Sequence, residues 1–239
     1  MALKTFGNSD IGLHREQNED SFLVVDELQL FAVADGIGGL PHGDQASDMA
    51  MECLRLWAKE NEGIDSEDEF KAALEFVNEA VTEEGTRLTP DTGIGTTISA
   101  LAVNGSKVLV GHIGDSSGYL FRKNGAGKLT TDHTVAQEIF DKLEPGEQMP
   151  NIPEYYHHSL TRCIGQQTAF QPDVHTYDLF QGDRLLVCTD GITDLIHLDE
   201  MQKMAMETDN PEHFVDNLIR KANQLGGHDN STAVAVFVS

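Results

Sequence analysis

The segment from residue 95 to residue 131 constrains the fold most. Residues 96–103 are apolar and β-branched, Asn104-Gly105 is a strong hairpin signal, and residues 107–113 run back along the first strand. Another short strand at 118–122 and a second Asn-Gly pair at 124–125 extend this meander. Strands joined by turns this short run antiparallel, because a parallel partner needs a crossover of a dozen residues or more. Similar short apolar runs occupy 21–25, 28–34, 183–189 and 232–238.

Between the strands lie one-sided helices. Residues 44–59 carry Ala46, Met49, Ala50, Cys53 and Trp57 on one stripe, and 67–88 carry Phe70, Leu74, Val77, Val81 and Leu88. Ser66 with Glu69 spells a capping box at the second helix's start. Asn210-Pro211 opens a third helix bearing Phe214, Leu218, Ala222 and Leu225, and Gly226-Gly227 stops it. A helix with one apolar face must lie on something, so an α+β fold is expected, with two antiparallel sheets covered by helices. Residues 141–160, with Pro145, Pro150, Pro153 and the pair His157-His158, fit neither pattern and read as a long functional loop. No repeat or linker divides residues 1–239, so a single domain is expected.

Composition removes several function classes. The 239 residues hold 40 Asp and Glu against 16 Lys and Arg, a net charge of -24, which would repel a nucleic-acid backbone. No apolar run approaches the roughly 18 residues of a membrane span. The polar N-terminus has no signal-peptide core. Cys53, Cys163 and Cys188 are odd in number and far apart, as expected of free thiols in the cytoplasm.

The chemistry is written at the strand ends. Asp35, Asp115 and Asp190 each close an apolar strand, Asp229 precedes the last one, and Asn18-Glu19-Asp20 leads into another. Taken singly, each Asp beside Gly or Ser is ordinary turn chemistry. A sheet, however, brings strand ends together at one edge, and carboxylates gathered there repel without a compensating cation. Oxygen ligands in such number suit Mg²⁺ or Mn²⁺, and no HExxH or CxxC spacing offers a zinc site. Two such ions, roughly 3.5–4 Å apart, would activate a water against a phosphate ester. Asp35-Gly36-Ile37-Gly38-Gly39 lacks the Lys-Ser/Thr of a phosphate-binding loop, and Gly36 instead leaves its carbonyl open to a metal. Cys163 and Cys188 are not followed by the arginine of a cysteine phosphatase, and Asp190 and Asp194 are spaced too widely for a phospho-aspartate mechanism.

In order and spacing, eight motifs resemble the metal-dependent Ser/Thr protein phosphatases of the PPM family, type 2C, in their bacterial form. They are the run 15–20, the run 35–39, Gly95-Thr96-Thr97, Gly114-Asp115-Ser116, Asp132-His133-Thr134, Leu160-Thr161-Arg162, Thr189-Asp190-Gly191 and the run 229–232. The resemblance implies a four-layer αββα sandwich with a flap at about 133–160. It implies hydrolysis of phosphoserine and phosphothreonine by a metal-bridging hydroxide, opposing Ser/Thr kinases. By that analogy Asp35 bridges two metals, Gly36 offers its carbonyl, and Asp190 and Asp229 complete the ligands of the first metal. Glu19 or Asp20 reaches the second metal, Arg15 holds the substrate phosphate, and Asp115 with Asp190 holds a weaker third ion. Mn²⁺ or Mg²⁺, phosphoprotein partners and a monomer follow as expectations.

There are departures. Ser117 stands where the family usually has Arg, and Ile37 where some relatives carry a histidine. His133, His157 and His158 are expected as exposed loop histidines. Arg162 contacts substrate or anchors the flap, and Cys188 belongs to the core. Asn230-Ser231-Thr232 is expected as a metal-loop turn, not a glycosylation site. Two rivals remain: a catalytically impaired binding module on the same fold, and a two-metal nuclease, which the charge disfavours.

Overall fold

The computed structural model describes residues 1–144, 147–148, 150–167 and 170–239. Pro145, part of the long loop read from the sequence, lies outside the described residues.

Among the described residues, ten strands form two antiparallel five-stranded sheets. They are β1 (Leu3–Asp10), β2 (Asp20–Val25), β3 (Leu30–Asp35), β4 (Ile98–Asn104), β5 (Lys107–Ile113), β6 (Ser117–Arg122), β7 (Gly125–Lys128), β8 (Asp173–Asp178), β9 (Arg184–Cys188) and β10 (Ser231–Val238). One sheet has the order β1-β10-β9-β6-β7 and the other β2-β3-β4-β5-β8. The period-2 alternation of the central strands sorts side chains into layers. Phe31 and Val33 of β3, with Val234, Val236 and Val238 of β10, meet between the sheets. Leu30, Ala32 and Ala34 face the other way, onto α1 (Gly43–Glu60) and α2 (Glu67–Leu88). Ala233, Ala235 and Phe237 face α6 (Pro211–Gln224). The result is the expected αββα sandwich. Each fully buried Leu, Val or Phe in these layers contributes roughly 1.5–3 kcal/mol relative to its exposed state.

Among the described residues, three short helices precede α6 in the chain: α3 (Val135–Phe140), α4 (Asp190–Thr193) and α5 (Leu198–Met206). No helix among the described residues is long and apolar enough to cross a membrane.

Several local expectations shift. Asn104 pairs with Lys107, so the first hairpin turns on Gly105-Ser106, where Gly105 takes φ +60. Arg122 pairs with Gly125, so the second turns on Lys123-Asn124. Strand β3 starts at Leu30, because a short 3₁₀ turn at Asp26–Leu28 closes on Gln29 in the left-handed region. On α1, Met51, Leu54 and Ala58 join the buried face, while Met49 and Trp57 sit at its margin. Ser66 does accept from Glu69 N, but the Glu69 carboxylate reaches back to Asp65 N instead of Ser66 N. Asn210 accepts from Glu212 N at the start of α6, as its sequence predicts.

Candidate metal centre

Register brings the carboxylates together. In the β2–β3 pair Asp20 stands opposite Asp35. Asp190 opens α4 directly after β9, Asp229 lies two residues before β10, and Asp115 lies in the turn from β5 to β6. Because β9 pairs with β10 antiparallel, the end of one and the start of the other share an edge. Arg15, Glu19, Asp35, Gly36, Asp115, Asp190 and Asp229 all line one cleft of about 400 Å³. Asp20 is the exception among the expected residues. Its side chain is buried behind the cleft, where Oδ2 accepts from Thr189 Oγ1 at 2.8 Å.

The edge is held from behind by hydroxyls and amides. Asp35 N donates to Thr97 Oγ1 at 3.0 Å, and the Asp35 carbonyl accepts from Thr97 N at 2.9 Å and Thr96 Oγ1 at 2.7 Å. Asn230 Nδ2 donates to the carbonyls of Ile11 and Gln17, and its Oδ1 accepts from Glu19 N. That one side chain therefore fixes the loop carrying Arg15 and Glu19 against the start of β10. Gly36 has a tighter reason than an open carbonyl, since a Cβ there would lie 2.5 Å from the Gly43 backbone. At Gly191 a Cβ would stand 1.9 Å from the Asn230 carbonyl. The motifs containing Thr96, Thr97, Gly191 and Asn230 are visible in the sequence, but these supporting roles are not.

Charge is concentrated here. Burial first, then the Asp20, Asp190, Asp115 and Asp229 carboxylates, push Asp35 well above the usual carboxylate range. Burial, with Asp190 and Asp132, pushes Asp115 up to about 8. Burial raises Asp20 to about 7 against hydrogen bonds from Thr232 and Thr189. Glu19 is raised by burial as well. Arg15 Nη2 donates to Asp229 Oδ2 at 2.6 Å, a pairing of two residues whose expected partners were phosphate and metal.

The flap residues divide. His157 and His158 are exposed, as expected, but His158 also lines the cleft, with Nδ1 3.7 Å from Asp190 Oδ2 and 3.8 Å from Asp194 Oδ2. The Asp190 carboxylate, backed by Asp194, raises His158 to about 9. His158 is thus a positive group near Asp115, where Ser117 supplies none. Asp194, too far along the chain from Asp190 for a phospho-aspartate pair, is a further carboxylate of this edge and no expected ligand. His133 corrects an expectation: it is only 3% exposed. Arg162 anchors, pairing with Asp173 at 3.1 Å. Cys188 is fully buried in the sheet, and all three cysteines are free.

This fold with its carboxylate-lined edge finds counterparts among known protein phosphatases. A family model described as "Protein phosphatase 2C" matches residues 14–235. The chain is 31% identical over 236 residues to the serine/threonine phosphatase stp of Listeria monocytogenes, covering 95% of this chain and 93% of that one. It is 32% identical to the protein phosphatase PhpP of Streptococcus pneumoniae, covering 97% and 96%. Among solved structures, the catalytic domain of the serine/threonine phosphatase PstP in complex with 2 manganese ions superposes with a TM-score of 0.85, at 30% identity and 99% coverage of both chains. The chain belongs to the protein phosphatase 2C family.

Proposed function

We propose that this protein is a metal-dependent phosphatase that hydrolyses phosphoserine and phosphothreonine in proteins, acting as a single monomeric domain in the cytoplasm and opposing Ser/Thr kinases. The observation that carries this reading is the convergence of Asp35, Asp190, Asp229 and Glu19 on one cleft with the guanidinium of Arg15. Every expected carboxylate but Asp20, which lies buried behind, lines the cleft, so the impaired-module reading is not favoured.

The donor set fits divalent ions. Oδ1 of Asp20 and Oδ1 of Asp190 are buried and have no hydrogen-bond partner among the protein atoms, a costly arrangement for anionic oxygens unless a cation shares the space. All the ligands are oxygens, the preference of Mn²⁺ and Mg²⁺. Asp35, Asp190, Asp229, Glu19 and the Gly36 carbonyl would hold two ions, with Asp20 behind them, and Asp115 with Asp190 would hold a third more weakly. When bound, such ions neutralise phosphoryl charge and acidify a water for in-line attack.

The chain's own groups do the rest. Arg15 presents a forked, permanently charged donor to the phosphate oxygens. Partial burial alone would lower its pKa, but Asp229, then Asp35 and Glu19, outweigh this, so it stays cationic throughout. Thr96 and Thr97 fix the Asp35 backbone, and Ile37 closes the cleft wall with an apolar side chain. The products are inorganic phosphate and the free hydroxyl, and no phosphoenzyme accumulates.

Phosphate release from a phosphothreonine peptide, measured with Mn²⁺ and again after chelation, tests the proposal. Turnover that stops with chelator and returns with Mn²⁺ or Mg²⁺ is expected. Folded protein that releases no phosphate under any of these conditions would refute it.

A further inference from the structure

His133 is buried at the base of the flap, against the turn that carries Asp115. Its backbone N–H donates to the Gly114 carbonyl at 2.7 Å, and the Gly114 N–H donates back to His133 Nδ1 at 3.1 Å. The His133 carbonyl accepts from Thr161 N at 2.8 Å. One residue on, Thr134 bridges Leu160, and Val135 N donates to the Ser159 carbonyl at 2.9 Å. His133 therefore touches both ends of the flap and the Gly114–Asp115 turn at once.

These partners dictate the state of the ring. A backbone N–H can only donate, so Nδ1 must be bare and the ring proton must sit on Nε2. Nε2 faces Asp173 Oδ2 at 3.1 Å, an acceptor that fixes this tautomer. Arg162 Nη1 donates to the other oxygen of Asp173 at 3.1 Å and to the Gln171 carbonyl at 3.3 Å, so the carboxylate is itself held. Arg162 Nη1 also lies 3.1 Å from Nε2; with the proton on Nε2 both atoms are donors, so this contact sets a charge beside a ring N–H and not a hydrogen bond, and the cation opposes a second ring proton. His112 packs against the ring at 4.8 Å between ring centres, tilted by 38°, and is itself held by Ser99 Oγ and the Thr131 carbonyl.

Gly114 is pinned from the opposite direction. It takes φ +110, and a Cβ there would stand 2.6 Å from Thr97, the residue that also holds Asp35. The turn is thus pressed between Thr97 and the imidazole, and any shift of His133 must be passed to Asp115.

We infer that His133 is a positioning residue: neutral, protonated on Nε2 and oriented by Asp173 and Arg162, it ties both ends of the flap to the Gly114–Asp115 turn and thereby sets where the Asp115 carboxylate stands. The consequence for a third ion at Asp115 rests on the phosphatase reading above; the clamp itself does not.

Two isosteres separate positioning from packing. In His133→Asn the side-chain carbonyl can stand where Nδ1 stands and accept from Gly114 N. In His133→Gln the amide reaches toward Asp173 and leaves the Gly114 N–H unmatched. In metal-free protein, hydrogen exchange at the Gly114 amide should quicken about tenfold or more in His133→Gln, the effect of losing one buried hydrogen bond, and stay within about threefold of wild type in His133→Asn. Calorimetric titration with Mn²⁺ should show the weak binding phase shifted about tenfold in His133→Gln, with the tight phase unmoved. Nitrogen resonances of the wild-type ring should report a bare Nδ1. Asp173→Asn, at a partly exposed side chain that spares the core, should quicken Gly114 exchange as well, which a merely packed imidazole would not. Equal losses in the Asn and Gln variants, an Nδ1-protonated ring, or Gly114 exchange indifferent to Asp173 would each overturn the clamp. A wild type with no weak Mn²⁺ phase would overturn the Asp115 consequence, whatever the exchange data show.

Discussion

Replacing Arg15 with alanine should move two affinities in opposite directions. The guanidinium is committed to Asp229 at 2.6 Å, with the two side chains 40% and 34% exposed. A pair that open to water is worth at most about 1 kcal/mol. Charge-assisted hydrogen bonds to a phosphate contribute about 1.5–3 kcal/mol, so after the Asp229 pair is given up Arg15 is left with about 0.5–2 kcal/mol of net phosphate binding. Its loss should raise KM for a phosphothreonine peptide by about 2- to 30-fold, with kcat changed less. The same change frees Asp229 and removes a cation beside Glu19 and Asp35, so Mn²⁺ should bind up to about fivefold more tightly. Steady-state kinetics at saturating Mn²⁺ gives the first number and calorimetry of the metal-free protein gives the second. An unchanged KM would show that Arg15 does not meet the phosphate. Weaker Mn²⁺ binding would show that the ion pair supports the metal site instead of competing with it.

Asp35→Asn should cut turnover by orders of magnitude, yet raise the thermal midpoint of the metal-free protein, because the carboxyl it replaces is held against its ionisation by burial and four neighbouring carboxylates. A lower midpoint would contradict that electrostatic account. Asn230→Ala leaves Glu19 N and two carbonyls without their partner and should cost about 2–3 kcal/mol in urea unfolding, with a raised phosphopeptide KM; an unchanged KM would detach Asn230 from the Arg15 loop. His112 supplies a pH dependence. Burial, with His133 and Lys128, lowers it to about 3, so the folded state keeps it neutral while the unfolded state protonates near pH 6.5. Its contribution is therefore complete above that pH and declines as pH falls, by about 1.4 kcal/mol per unit between pH 6 and 5. His112→Gln should flatten the stability profile in that window; an identical slope would refute the assignment.

The sequence was most legible where one rule acted alone. Short apolar runs at 28–34 and 232–238 marked the central strands, which are buried on both faces, and Asn210-Pro211 marked the start of α6 to the residue. The outer strands β1 and β8 escaped notice because an edge strand needs no apolar face, and Asp173–Asp178 is largely polar. The α1 stripe was misaligned by about one position because Cys53 and Ala50 lie on both candidate faces, and only contact with α2 and the sheet selects Met51, Leu54 and Ala58. In the site, the strand-end aspartates could be gathered from sequence because antiparallel pairing places strand ends together. His133 could not. Its burial depends on Asp173 and Arg162, brought to it from beyond the flap, and no local pattern around Asp132-His133-Thr134 encodes that.

Anomalous scattering at the manganese edge, from crystals grown with Mn²⁺, tests the central claim most directly. Two strong peaks are expected in the cleft, both within ligand distance of the Asp35 carboxylate and one also beside Asp190 and Asp229, with a weaker third between Asp115 and Asp190. Manganese bound elsewhere, or a cleft whose Asp35 touches no peak, would contradict it.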